Sequence, residues 1–281
     1  MKFSSWCLLP ALLLLGVTST VNGAAIEMEN CELQVPGTAL KSIAQCGFFE
    51  VAETPAEPDG RKIRLHVAKV PARGRETEPD PLVFFAGGPG QAASETWPIL
   101  ARALYRLTES REVLLIDQRG TGQSNPLDCP QMSLDDMLAG DLEDIGPVTQ
   151  ECLDGLDGDP RFYTTSIAMQ DIDTVREAMG YEQLNLLGVS YGTRAAQVYM
   201  RMFPDRVRSV VLDSVVPQTL ILGSEHGMKL DQAIERVLSG CEADSECRSA
   251  FPNTRANLQQ LINTADTAAP EVTINHPNSG E

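Results

Sequence analysis

Residues 184–196 read LNLLGVSYGTRAA, and this stretch decides the fold. The run LNLLGV at 184–189 is mostly apolar, which predicts a buried strand. Residues 191–203 predict a helix that ends near Pro204, because proline cannot continue a helix. The chain therefore passes from a buried strand into a helix through a very short turn.

The turn itself is Gly188-Val189-Ser190-Tyr191-Gly192. Such a turn forces the central serine into a strained backbone conformation, and the two glycines leave room where side chains would collide with the strand and the helix. The serine hydroxyl then lies at the helix start, where backbone N–H groups favour negative charge. We predict that Ser190 is the nucleophile of an acyl transfer. The alternative interpretation is an ordinary strand-to-helix turn in which the serine only caps the helix.

The segments around this turn alternate between predicted strands and helices. Strands are predicted at 62–70, 82–85, 113–116 and 207–216, and helices at 94–107 and 168–179. Strands that are apolar on both faces are typical of a parallel sheet covered on both sides. The sequence therefore predicts an α/β fold with a mostly parallel sheet and helices on both faces. Within the alternating strand at 62–70, His66 is predicted to face the polar side.

The character of the chain changes after Pro217. Residues 224–240 and 248–266 predict two helices, and no further strong core strand follows them. We therefore predict a sheet core at 24–217 and the beginning of a helical cap at 218–281, with the C-terminal core strands of the sheet missing.

A glycine-rich loop, AGGPG at 86–90, follows the predicted strand 82–85. The tetrahedral intermediate of an acyl transfer carries an oxyanion, which needs two preorganised donors. We predict that the backbone N–H groups of Tyr191 and Gly88 are these donors, with Gly87 as the second choice in the loop. The alternative for this loop is a plain tight turn.

A third motif, DQRGTGQS at 117–124, follows the predicted strand 113–116. We predict a structural role for it, in which Asp117 and Arg119 pair and brace the loops around the pocket.

Taken together, AGGPG at 86–90, DQRGTGQS at 117–124 and GVSYGTRAA at 188–196 resemble the proline iminopeptidase and tripeptidyl aminopeptidase group of α/β-hydrolases. The resemblance covers about residues 45–265, and it departs from the group at Ala86, where many members have histidine. It implies an α/β-hydrolase fold, no cofactor, and an exported serine peptidase that cleaves near a free amino terminus through an acyl-enzyme.

Two other functions stay open at this point. One is a carboxylesterase or lipase that uses the same nucleophile. The other is an exported binding protein that kept the fold and lost the catalytic triad. For an aminopeptidase, carboxylates of the cap should hold the substrate amine, but Glu225 and Asp231 are too generic to be assigned as that site.

The catalytic acid and base are not evident. In this fold they follow the serine in chain order, on loops after later core strands. His66 precedes the serine, His226 begins the first predicted cap helix, and His276 follows no core strand. Asp213 ends a predicted core strand, but one strand too early. We therefore expect both groups beyond Glu281, and we expect these residues alone to be inactive.

The amino terminus has the pattern of a secretory signal peptide over residues 1–23, with Lys2 followed by an apolar run and small residues. The run is too short to span a bilayer comfortably, although an uncleaved anchor is the alternative. The prediction is therefore an exported, periplasmic or extracellular protein without stable membrane insertion after cleavage.

The formal net charge of −17 argues against a nucleic acid or an anionic membrane as partner. It favours cationic groups such as peptide amino termini. A peptide or small acyl substrate is the expected partner, and the oligomeric state stays open.

Six cysteines follow the signal peptide, an even number that indicates disulfides in an exported chain. Sequence neighbours suggest the pairs Cys31–Cys46, Cys129–Cys152 and Cys241–Cys247. No CxxC pair occurs, so we predict no metal site.

Overall fold

The computed structural model describes residues 26–129, 145–221 and 223–267. The predicted signal peptide and His276 lie outside these residues. The chain divides into two compact units, with the division after Gln218, and each unit is described separately below.

A seven-stranded sheet forms the centre of the first unit, the sheet unit. Its strands are β1 (Glu29–Gln34), β2 (Lys41–Ala52), β3 (Lys62–Val70), β4 (Leu82–Phe85), β5 (Val113–Ile116), β6 (Leu184–Val189) and β7 (Val207–Asp213). They lie in the order β1-β2-β3-β5-β4-β6-β7. The pairs from β5 through β4 and β6 to β7 are parallel, whereas those from β1 to β5 are antiparallel.

Helices cover both faces of the sheet, as the apolar strands predict. They are α1 (Ala93–Ala101), α3 (Thr165–Ala178) and α4 (Tyr191–Met202), and a further helix, α2 (Ile145–Gly155), precedes α3 in the chain. Val83 and Phe85 of β4 pack into a core with α3 and α4, and Leu82 and Phe84 pack into a second core with Trp97 of α1. The predicted α/β fold is confirmed.

The predicted helix around 168–179 is α3. Ala168, Ile172 and Val175 share its buried face, which is the stripe that their spacing predicts. The Thr164 side chain accepts the N–H of Ile167 and caps the start of the helix.

The parallel strands bring the sequence motifs to one edge of the sheet. Phe85 at the end of β4 pairs with Gly188 of β6, and Val189 pairs with Asp213 at the end of β7. Because parallel strands end on the same side, the loops after β4, β5 and β6 emerge together.

Two predicted elements are shorter than expected. The helix predicted at 94–107 ends at Ala101 and continues as turns, and the strand predicted at 207–216 ends at Asp213. The residue after it, Ser214, has a φ of 60°, which breaks the extended backbone. The strands β1 and β2 were not predicted. The irregular burial along β2 shows why, because it lacks a clean alternation.

The second unit, the helical unit, contains α5 (His226–Ala243), α6 (Ser245–Ala250) and α7 (Thr254–Thr267). The helix predicted at 248–266 is split between α6 and α7, because Pro252 and Asn253 separate them and Asn253 has a φ of 60°. Among the described helices, none combines the length and the apolar character that a membrane crossing needs.

Candidate active site

Ser190 occupies the turn between β6 and α4 with a φ of 54° and a ψ of −121°. A positive φ in a residue other than glycine costs about 1–3 kcal/mol unless the surroundings enforce it. The N–H of Ser190 donates to the carbonyl oxygen of Asp213 at 2.9 Å. Its own carbonyl oxygen accepts the N–H and the Oγ1 hydroxyl of Thr193, at 2.9 and 2.7 Å. The end of β7 and the first turn of α4 therefore hold the strained serine from both sides.

The two glycines of the turn are required by its close packing. A Cβ added to Gly188 would lie 2.5 Å from the carbonyl oxygen of Gly192. A Cβ added to Gly192 would lie 2.6 Å from the carbonyl carbon of Phe85 and 2.7 Å from the carbonyl oxygen of Ala86. Ordinary side chains do not approach backbone atoms so closely, which explains why glycine stands at both positions.

The Ser190 side chain is available for chemistry. Ser190 is the N-cap residue of α4, yet its side chain makes no capping hydrogen bond. Its Oγ has no hydrogen-bond partner within the part of the chain that the structure describes. The interpretation of Ser190 as only a helix cap is therefore not what the geometry shows.

The glycine-rich loop after β4 packs against this serine. A Cβ on Gly87 would lie 3.3 Å from the Ser190 Cβ, whereas Gly88 is exposed and has a φ of 99°. Neither Gly88 nor Tyr191 donates its backbone N–H to another described residue. Both N–H groups are therefore free to meet an oxyanion, and their role as donors stays a prediction.

The predicted pairing of Asp117 with Arg119 is wrong. Asp117 is fully buried and accepts the N–H of Ser94 at 2.9 Å and its hydroxyl at 2.8 Å. It also lies 3.1 Å from Nδ1 of His66. His66 is only 2% exposed, so the prediction that it faces the polar side of its strand is also wrong. The α1 helix covers that face of the sheet, which alternation within one strand could not reveal.

Arg119 instead pairs with Asp171 on the buried face of α3. Its Nε and Nη2 donate to the two carboxylate oxygens at 2.7 and 2.8 Å, and its Nη1 donates to the carbonyl oxygens of Glu53 and Phe162 at 2.7 and 3.0 Å. Burial raises the pKa of Asp171, and the guanidinium of Arg119 opposes that rise. The sequence analysis did not predict this ion pair. The feature of the sequence that could have indicated it is Asp171, an aspartate within the apolar stripe of α3.

A small cavity of about 200 Å³ lies beside the turn. Its lining comes from the glycine-rich loop, the 118–121 loop, the start of α3 and Tyr191. The Tyr191 hydroxyl lies 2.5 Å from Oγ1 of Thr165, which fixes the ring at the edge of this cavity. The cavity therefore lies beside Tyr191, the residue that follows Ser190, and is large enough for a small chemical group.

The described residues bring no base to Ser190. His66 is committed to Asp117 through Nδ1, and the side chain of Asp213 accepts only the neighbouring hydroxyl of Ser214. His226 and the two cap carboxylates considered above, Glu225 and Asp231, belong to the helical unit and are exposed.

The structure joins the same cysteines that the sequence neighbours suggest. The disulfides are Cys31–Cys46, Cys129–Cys152 and Cys241–Cys247. The first links β1 to β2, and the third links α5 to α6.

The chain is similar to a known protein family and to several known proteins. Residues 80–250 match the family model described as alpha/beta hydrolase fold. The chain is 31% identical over 217 residues to a tripeptidyl aminopeptidase of Streptomyces lividans, covering 69% of this chain and 38% of that protein. It is 29% identical over 233 residues to the serine protease Hip1 of Mycobacterium tuberculosis, covering 73% of this chain and 44% of that protein. The matched region therefore spans less than half of the length of these relatives.

Among solved structures, the chain is similar to an alpha/beta hydrolase from Novosphingobium aromaticivorans. The TM-score is 0.38 at 18% identity, with 63% of this chain and 45% of that chain covered.

Proposed function

Because the chain belongs to the α/β-hydrolase fold family, we propose that the protein is a serine hydrolase that cleaves peptide bonds near a free amino terminus. The observation that carries the proposal is the geometry of Ser190. A strained, partly exposed serine without a hydrogen-bonded side chain stands at a helix start, directly against a glycine-rich loop. This is the arrangement of a serine nucleophile in this fold.

In the proposed reaction, Ser190 Oγ attacks the carbonyl carbon of the substrate and its proton passes to a general base. The carbonyl oxygen becomes an oxyanion, which the N–H groups of Gly88 and Tyr191 stabilise. The intermediate collapses to an ester on Ser190 as the leaving amine takes a proton. Water then attacks the ester, which releases the acid and regenerates the serine.

Two observations favour a peptide over a simple ester as the substrate. The relatives described above are named as a tripeptidyl aminopeptidase and a serine protease. The net charge of −17 also attracts the ammonium group of a peptide amino terminus.

We also propose that the protein is exported. Three disulfides support this proposal, because disulfides persist in oxidising compartments. Mass mapping of the unreduced protein tests it, and six free thiols would contradict it.

Parallel assays test the proposed reaction in the protein made from its complete coding sequence. We expect hydrolysis of a short peptide amide with a free amino terminus to exceed hydrolysis of a simple ester. Ser190→Ala should reduce the rate by roughly a million-fold, because the nucleophile is lost. Ser166→Ala, an exposed serine in the first turn of α3, is the matched control and should keep the rate. Hydrolysis of the ester alone would assign a carboxylesterase instead.

A further inference from the structure

The cavity of about 200 Å³ adjoins both residues that are predicted to hold the oxyanion. Tyr191 lines it, and the backbone N–H of Tyr191 is one of the two predicted donors. Pro89 and Gly90 also line it, and they directly follow Gly88, whose N–H is the other predicted donor. A carbonyl oxygen held between these donors therefore places its carbonyl carbon next to the cavity.

Two groups branch from the carbonyl carbon of a peptide substrate, which are the acyl-side residue and the leaving amine. The side chain of the acyl-side residue begins two bonds from that carbon, whereas the side chain of the leaving residue begins three bonds from it. Because the cavity adjoins the donors directly, the nearer side chain is the one that it can receive.

The walls of the cavity are fixed by contacts within the protein. Tyr163 lines it, and its hydroxyl donates to Oε1 of the buried Glu53 at 3.0 Å and accepts Nδ2 of Asn125 at 2.8 Å. The Tyr163 ring also packs on Gly120, where an added Cβ would lie 2.9 Å from Cδ1 of the ring. A cavity of about 150 Å³ holds one benzene molecule. This preformed cavity therefore has room for an aliphatic side chain or a single ring.

The lining offers no free charge to a substrate. Arg119 is the one charged side chain among the described residues that line the cavity. Its Nε and Nη2 bind the carboxylate of Asp171, and its Nη1 binds backbone carbonyl oxygens. A charged side chain in the cavity would lose its hydration and gain no partner of opposite charge, which strongly disfavours it.

We propose that this cavity binds the side chain of the residue whose carbonyl carbon Ser190 attacks, and that it selects short, uncharged side chains. The assignment rests on the proposed function, because it makes the cavity part of the substrate site of a peptidase. Ala168 lines the cavity from the buried face of α3 and is only 3% exposed, so its methyl group limits the space. Gln118 limits it from the loop after β5.

Steady-state hydrolysis by the protein made from its complete coding sequence tests the selection against charge. The probes are short peptide amides with a free amino terminus, which differ only in the residue joined to a fluorescent amine. We expect kcat/KM for methionine to exceed that for lysine by roughly ten-fold or more, because the two side chains are similar in length and only lysine is charged. The net charge of −17 attracts lysine and therefore cannot produce this preference. Equal values for the two probes would overturn the proposal.

Two variants change the size of the cavity in opposite directions. Ala168→Leu fills it and should lower kcat/KM for the leucine probe relative to the alanine probe by roughly ten-fold or more, because the two leucine side chains compete for one space. Gln118→Ala enlarges it and should raise kcat/KM for a phenylalanine probe relative to the alanine probe.

Gln170→Leu is the matched control, because it adds the same side chain as Ala168→Leu at an exposed position of α3. It should keep the preferences of the unmodified protein. Unchanged preferences in Gln118→Ala and in a folded Ala168→Leu would place the side chain elsewhere. Gln118→Ala decides alone if Ala168→Leu does not fold.

Failure of the cavity and failure of the hydrolase give different results. A protein that forms no adduct at Ser190 and hydrolyses none of the peptide amides would contradict the hydrolase and, with it, the cavity. A protein that is labelled at Ser190, but whose variants alter only the preference among leaving amines, would contradict the cavity assignment alone.

Discussion

The sheet unit and the helical unit differ in how much apolar surface they bury. In the sheet unit, Trp97 and Tyr199 are fully buried, and each face of the sheet has its own core. In the helical unit, Leu238 is the one buried apolar side chain among the described residues, while Val237 is 72% exposed and Phe251 is 65% exposed.

This difference explains why the candidate site depends on the sheet unit. A positive φ at Ser190 persists only where neighbouring backbone over-determines it. The sheet unit supplies that backbone through β7 and α4, because its atoms are close-packed. In the helical unit, the Cys241–Cys247 disulfide and exposed polar pairs link the helices, so equal substitutions in the two units should have unequal effects.

Removing one partner of a buried ion pair is the largest expected effect. Asp171→Ala leaves Arg119 as an uncompensated buried charge and should lower the free energy of unfolding by about 3–5 kcal/mol. Urea denaturation, monitored by circular dichroism, measures this change in the free energy of unfolding. The double variant Asp171→Ala with Arg119→Met should recover part of the loss, and a single variant as stable as the wild type would contradict the account.

Glycine-to-alanine substitutions in two helices should change stability in opposite directions. At Gly192 in α4 the added Cβ meets the backbone of Phe85, so the free energy of unfolding should fall by about 2–3 kcal/mol. At Gly240 in α5 the Cβ meets nothing within 4 Å, so alanine should stabilise by up to about 1 kcal/mol. If both substitutions changed the free energy of unfolding in the same direction in this denaturation assay, the proposed difference in packing between the two units would be contradicted.

Shortening one isoleucine in each unit is expected to give a smaller difference. Ile172 is 1% exposed, and Ile172→Val should cost about 0.5–1.5 kcal/mol, because a buried methyl group is lost. Ile262 is 45% exposed, and Ile262→Val should change stability by less than about 0.5 kcal/mol. Thermal unfolding monitored by calorimetry compares them, and an equal cost at both sites would argue against the difference in burial.

The smallest effect is expected at Arg255, which links Glu235 of α5 to α7 through exposed side chains. Solvent and salt screen such pairs, so Arg255→Ala should shift the unfolding midpoint slightly at low salt. The shift should vanish at high salt. A large shift that persists there would show that this pair behaves as a buried one.

The strands and helices that surround Ser190 could be predicted from sequence, because burial on both faces and helical periodicity leave direct patterns. The turn could be predicted because only glycine fits beside Phe85. The partners of Asp117 and Arg119 could not, since each lies on an element distant in sequence that the packing brings close. The burial of His66 depends on α1 in the same way.

The central claim is that Ser190 is the nucleophile, and covalent labelling tests it most directly. The protein made from its complete coding sequence is treated with a fluorophosphonate, digested and mapped by mass spectrometry. The account predicts one adduct, on the peptide that contains Ser190, which Ser166→Ala retains and Ser190→Ala abolishes. An unlabelled Ser190, in a reaction that labels an added reference serine hydrolase, would contradict it.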